Sequence, residues 1–176
     1  MDAGIFKMKL RTPKPILLYC FFLTLLTASC SNTDKKSVDQ DPQLFYLDGT
    51  VCDIDSFQGK YVLVDIWGLG CAPCIEAIPD LISLQDRYKE DLVILAINDL
   101  IYFDKLNKFV GDSKINYKIV VPKDSEQLMS VYYKFSNGSF NGFPYYALLD
   151  RRGKLMERGI SYGFAEYLIL MEKNKN

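Results

Sequence analysis

The stretch YVLVDIWGLGCAPCIEAIP, Tyr61 to Pro79, decides the fold of this chain. Its first seven residues, Tyr61 to Trp67, are apolar and rich in β-branched side chains, broken once by Asp65, and stop at Gly68. Such a run predicts a buried strand ending in a tight loop. From Cys74 onward Ile75, Ile78, Leu81 and Ile82 recur at helical spacing, and Pro73 suits a first helical turn, where its missing N–H has no bond to make. Strand, glycine-containing loop and helix together set Cys71 and Cys74 at a helix N-terminus. Free N–H groups and the helix dipole favour a thiolate there. Cys71, nearer the solvent end, is the expected nucleophile, and Cys74, one turn in, the resolving thiol. Their exchange is intramolecular, with effective molarities of about 10⁵ M or more, so a mixed disulfide on Cys71 is expected to be short-lived. Asp65 is the next clue. An unpaired charged carboxylate inside an apolar strand costs several kcal/mol, so its pKa is expected to rise; the alternatives are an edge position facing solvent or an ion pair with a lysine.

Working outward, Leu92 to Ile97 (LVILAI) is a fully apolar run suited to a central parallel strand, closed by Asn98-Asp99. Ile101 to Val110 has helical spacing and is expected to stop at Gly111. Tyr117 to Val121 predicts a strand ended by Pro122. Ser125 to Tyr133 predicts a short helix with Leu128, Val131 and Tyr132 inward, and Ser136 to Gly142 a loop. Tyr145 to Leu149 and Lys154 to Ile160 flank the turn Asp150-Arg151-Arg152-Gly153 as a hairpin, and Phe164 to Met171 gives a last helix. Before Tyr61, turn signals at Asp48-Gly49 and Gln58-Gly59-Lys60 predict an added N-terminal hairpin. Strands alternating with helices mean an α/β sheet covered on both faces.

The run Val64-Asp65-Ile66-Trp67-x-x-x-Cys71-Ala72-Pro73-Cys74 resembles thioredoxin. With Pro79 five residues after Cys74 and GFPYYALLDRRGKL from Gly142, the region from about Gly49 to Lys173 is similar to the extracytoplasmic TlpA/ResA-like thiol-disulfide oxidoreductases. The resemblance implies a thioredoxin-like α/β fold, a central mixed sheet flanked by helices with the N-terminal hairpin added, over residues 44–176. It implies a redox-active Cys71–Cys74 disulfide, and Asp65 beneath it as proton acceptor for Cys74. It also implies a cis Pro144 against the dithiol, with the Phe143 backbone offered to a substrate strand, and Trp67 as a shield that equally fits a plain core role. Three positions depart from the pattern. Ala77 stands where the ResA-like group carries a Glu, with neighbouring Glu76 expected on another face. Gly70 replaces the usual aromatic before the first cysteine, which predicts a more open rim. Phe143 is bulkier than the common Thr or Val.

The N-terminal region speaks of location. Lys7, Lys9, Arg11 and Lys14 precede an apolar run from Ile16 to Ala28 that ends in Thr27-Ala28-Ser29-Cys30, too short for an ordinary transmembrane helix. Residues 1–29, starting at Met1 or Met8, resemble a bacterial lipoprotein signal with Cys30 as the lipidated residue; a plain cleaved signal or a retained anchor are the alternatives. The polar segment 30–43 reads as a flexible tether. Without residues 1–29 the chain has 17 basic and 21 acidic residues, and this mild acidity argues against nucleic acid as a partner. The chain has five cysteines and no histidine. That excludes Ser-His-Asp and Cys-His catalysis, histidine-ligated metal and the CPHC type of oxidant. With Cys20 in the signal, Cys52 is left as a small buried hydrophobe. A zinc site would lack partners for Cys71 and Cys74, so neither metal nor cofactor is expected.

These readings converge on a membrane-tethered, periplasm-facing oxidoreductase that reduces protein disulfides and takes electrons from an unidentified membrane dithiol donor. A disulfide oxidase or isomerase, a thioredoxin-fold lipoprotein that only binds polypeptides, and a copper chaperone are the alternatives.

Overall fold

The computed structural model describes residues 42–138 and 140–174. The signal segment 1–29, Cys30 and most of the expected tether lie outside the described residues. Pro42 is already buried, and the Gln43 N–H donates to Gln127 Oε1 at 2.9 Å, so the packed domain has begun by Pro42.

The apolar run becomes strand β3, Tyr61–Trp67, buried along its whole length. It is preceded by β1 (Leu44–Tyr46), β2 (Val51–Cys52) and a 3-10 turn at Ile54–Phe57. After it come helix α1 (Ala72–Arg87), β4 (Leu92–Asn98), α2 (Phe103–Asp112), β5 (Lys118–Pro122), α3 (Ser125–Ser136), β6 (Tyr145–Leu149), β7 (Leu155–Gly159) and α4 (Gly163–Lys173). The seven strands form one mixed sheet in the order β2-β1-β5-β4-β3-β6-β7. β3, β4 and β5 are parallel, and β6 runs antiparallel to β3. β1 pairs antiparallel with both β2 and β5, so the N-terminal hairpin extends the sheet beyond β5.

Side chains alternate across a strand, so β3 feeds two cores. Tyr61, Leu63 and Trp67 pack with Cys74, Leu81 and Leu84 of α1, Leu106 of α2, and Ala165 and Ile169 of α4. Val62, Val64 and Ile66 face the other way, toward Val131 and Phe135 of α3 and toward Cys52. Cys52 is a free, buried thiol, held as a small core residue. Each fully buried Leu, Ile or Val in these layers contributes about 1.5–3 kcal/mol relative to exposure.

Two helix boundaries differ from the sequence reading. α2 starts at Phe103 and runs through Gly111 to Asp112, leaving Ile101 exposed rather than on an inner face. Gly111 sits exposed in the last turn, where its cost of about 1 kcal/mol is tolerable; the chain turns instead at Ser113 and the left-handed Lys114. α3 extends past Tyr133 to Ser136, because Phe135, four residues after Val131, continues the buried face before the left-handed Asn137 ends the helix. Leu128 and Tyr132 are half-buried, and Val131 and Phe135 carry the contact.

Candidate active site

The end of β3 and the start of α1 bring the two cysteines together. The Cys71 N–H donates to Gly68 O at 3.1 Å, closing a turn that delivers Cys71 as the residue capping α1. Cys71 Sγ accepts the Cys74 N–H at 3.2 Å, the bond that a negative sulfur would strengthen at a helix N-terminus. Cys71 is half-exposed and Cys74 is buried. The two are joined as a disulfide with Cα atoms 5.3 Å apart. Pro73 lies in the first turn and Pro79 inside the helix, which continues past it.

Asp65 is 4% exposed and lies on the same side of β3 as Leu63 and Trp67, the side that carries α1 and Cys74. It is neither at an edge nor in an ion pair with a lysine: β3 is flanked by β4 and β6, and the Asp65 Oδ1 atom is buried without a hydrogen-bond partner. Burial alone pushes its pKa from the ordinary 3.8 to about 8. Tyr146 stands opposite Asp65 in the β3–β6 register. The phenols of Tyr117 and Tyr146 are both pushed up, first by burial and then by the charge of Asp65, so two aromatic hydroxyls share its surroundings.

Trp67 is buried, tilted against Phe109 of α2 at 6.1 Å between ring centroids, with its indole N–H unpaired. The Phe143–Pro144 peptide bond is cis. Tyr145 pairs with Ile66, so Pro144 enters β6 at the same end of the sheet where the cysteines leave β3. Phe143 is half-buried and clusters edge-on with Phe140 at 5.2 Å and Tyr132 at 6.1 Å. Ala77 is half-buried against the core and Glu76 is exposed, so Asp65 is the acid within that core. Cys30 lies outside the described residues.

Two residues of this region went unnoticed in the sequence. A Cβ placed on Gly68 would come within 2.2 Å of Asp99 Oδ2, so the Asp99 carboxyl rests directly on the backbone that leads to the dithiol. Asp99 is itself buried, donates its N–H to Trp67 O at 3.0 Å and accepts the Ile101 N–H at 3.0 Å through Oδ1. Burial raises its pKa and that backbone hydrogen bond lowers it in part. The signal that could have found it is topological: Trp67 and Asn98 are partners in adjacent parallel strands, so the residues after them are neighbours. The second is Tyr102, whose ring edge lies 3.5 Å from where a Gly70 Cβ would be. An aromatic from the β4–α2 connection thus covers the rim that Gly70 leaves bare.

A half-exposed sulfur, a buried sulfur one turn below and a buried acid of raised pKa can together make, hold and resolve a mixed disulfide.

Comparison with known proteins gives the same picture. The Redoxin family model matches residues 33–164. The chain is 24% identical over 149 residues to the thiol-disulfide oxidoreductase ResA of Bacillus thuringiensis, 82% of each chain. The thioredoxin domain of a thiol-disulfide oxidoreductase from Bacteroides vulgatus superposes with a TM-score of 0.62 at 24% identity, covering 72% of this chain and 91% of that one. The exposed lipoprotein thioredoxin of Streptococcus pneumoniae superposes with a TM-score of 0.60 at 20% identity, covering 76% of this chain and 99% of that one.

Proposed function

The chain belongs to the Redoxin family as a TlpA/ResA-like thiol-disulfide oxidoreductase, and from that premise we propose that it reduces disulfides of other polypeptides outside the cytoplasm, tethered to a bacterial membrane through a lipidated Cys30. The observation that carries the chemistry is the pairing of an open Cys71 with a covered Cys74 at the mouth of α1, with the orphaned carboxyl of Asp65 on the same side of the sheet.

In the reaction, the Cys71 thiolate attacks one sulfur of a substrate disulfide; a new S–S bond forms and the other substrate sulfur leaves as a thiolate. Cys74 then gives its proton to Asp65 in its ionised form, roughly one molecule in ten at pH 7, and attacks Cys71 Sγ. The Cys71–Cys74 bond forms, and the second substrate sulfur leaves. Two electrons have moved from the dithiol to the substrate. A carboxyl with a pKa of about 8 is close to that of an ordinary thiol, which suits a proton passing between them near neutral pH. Trp67 shields the pair, and the Phe143 backbone before the cis Pro144 positions the substrate strand. Reloading requires a dithiol donor in the membrane.

The reducing direction is supported by the CAPC spacer, which lacks the histidine of strongly oxidising dithiols. The extracytoplasmic location is supported by the signal-like N-terminus and by likeness to ResA and to an exposed lipoprotein thioredoxin. Equilibration of the dithiol with glutathione tests the direction: a midpoint near that of thioredoxin, about −270 mV, is expected, and one near about −120 mV would make the protein an oxidant. Cys74→Ala should accumulate a mixed disulfide on Cys71 when given an oxidised polypeptide. Its absence, with cellular function intact in both cysteine variants, would leave a binding protein.

A further inference from the structure

A cavity of about 420 Å³ opens beside the dithiol on the α2 flank, lined by Leu69, Ile75, Tyr102, Lys105 and Phe109. Its lining includes neither Phe143 nor Pro144, so it is separate from the edge where a substrate strand would pair. Neither cysteine lines it, but two of its walls flank Cys71 in the chain. Leu69 lies two residues before Cys71, and Ile75 donates its backbone N–H to Cys71 O at 3.2 Å, on the same helical face one turn below.

The outer wall is built at a conformational cost. Leu100 and Tyr102 both take left-handed backbone angles, φ 68° and 63°, which non-glycine residues adopt only when their surroundings hold them there. What holds the segment is the Asn98-Asp99 turn: Asn98 Oδ1 accepts the Leu100 N–H and Asp99 Oδ1 the Ile101 N–H, while the Asp99 carboxyl abuts Gly68. The result is three consecutive large side chains, Ile101, Tyr102 and Phe103, at 57%, 51% and 45% exposure, of which the Tyr102 ring reaches the Gly70 position next to Cys71. Apolar side chains held out in water by a strained segment at the rim of a reacting centre are suited to contact a partner. The lining carries one charge, and it is positive: Lys105, its Nζ 5.3 Å above the Tyr102 ring.

We propose that this cavity is a specificity subsite that takes a large apolar side chain next to the target cysteine of an oxidised polypeptide, with Lys105 favouring an acidic residue beside it. The inference rests on the reading that Cys71 exchanges with polypeptide disulfides. Leu69, Ile75 and Phe109 supply the apolar floor, and Tyr102 closes over the guest.

The test uses the reduced protein and two short peptides, each with its cysteine capped as a disulfide with glutathione. One carries leucine and glutamate beside the cysteine; the other has serine in place of leucine. Hydroxyethyl disulfide serves as a probe without side chains. The expected result is a preference of roughly tenfold in kcat/KM for the leucine peptide, expressed in KM, the factor that about 1.4 kcal/mol supplies. Tyr102→Ala should reduce that preference to about twofold. Lys105→Glu should weaken the glutamate peptide and be rescued by a peptide with lysine in its place, an exchange of partners that a loss of folding could not produce. Equal rates on the leucine and serine peptides, with hydroxyethyl disulfide turned over, would overturn the subsite and leave the exchange function standing. No turnover of any disulfide would overturn both.

Discussion

Asp65 and Asp99 are both buried acids at the dithiol end of neighbouring parallel strands, and they differ in what they touch. Asp65 Oδ1 has no partner, and burial drives its pKa to about 8. Asp99 Oδ1 accepts a backbone N–H and its Oδ2 lies against Gly68; that hydrogen bond offsets part of the effect of burial. The same residue type therefore sits in one place as a partnerless acid of raised pKa and in the other as a clasp. A carboxyl deprived of partners is unstable when charged and ready to hold a proton, whereas one given a partner is a fixture.

Asp65→Asn should show the largest effect. An acid whose pKa is raised on folding keeps its proton in the folded chain over a range where the unfolded chain has lost it. Its contribution to stability therefore falls as pH rises from about 4 to about 8 and is level above. Asp65→Asn removes that penalty, so urea unfolding should give a gain on the order of 5 kcal/mol at pH 8 that fades toward pH 4. The same variant should lose about 10²-fold in disulfide turnover at pH 7 under the proposed mechanism, in which Asp65 takes the Cys74 proton. A stabilised but slower protein is the pattern expected of a functional acid.

Gly68→Ala comes next. Its Cβ would meet the Asp99 carboxyl at 2.2 Å, and the expected loss is about 2–3 kcal/mol in urea unfolding. In an Asp99→Ala background the loss should drop below about 1 kcal/mol, a coupling that a double-mutant cycle measures. The smallest effect belongs to Asp99→Asn, whose amide oxygen can still accept the Ile101 N–H. Stability should change by less than about 1 kcal/mol. Turnover should stay within about twofold, since the clasp remains; a loss as large as that of Asp65→Asn would erase the distinction between the two acids.

The sequence made the buried Asp65 legible and hid the clasp. Asp65 interrupts an apolar run, and a polar residue in a buried strand is visible one-dimensionally. Asp99 follows Asn98 in what reads as an ordinary strand-closing pair, and its contact with Gly68 exists only because β3 and β4 lie side by side. The strands were readable for a related reason: β3 and β4 are buried on both faces, so their composition alone announces them. α2 was harder. Ile101 and Tyr102 fit a helical apolar pattern, yet the turn at Asn98-Asp99 holds them outside the helix and in solvent. Gly70 likewise predicts an open rim only as long as the Tyr102 ring, from another connection, is out of view.

The most direct test is the titration of the Asp65 carboxyl itself, followed by infrared difference spectroscopy with Asp65→Asn as the blank. The disulfide form is the right one to use, because no thiol of Cys74 then titrates alongside it. The protonated carboxyl band should persist through neutral pH and disappear with a midpoint near 8. A midpoint near 4, the value of an exposed aspartate, would contradict the account.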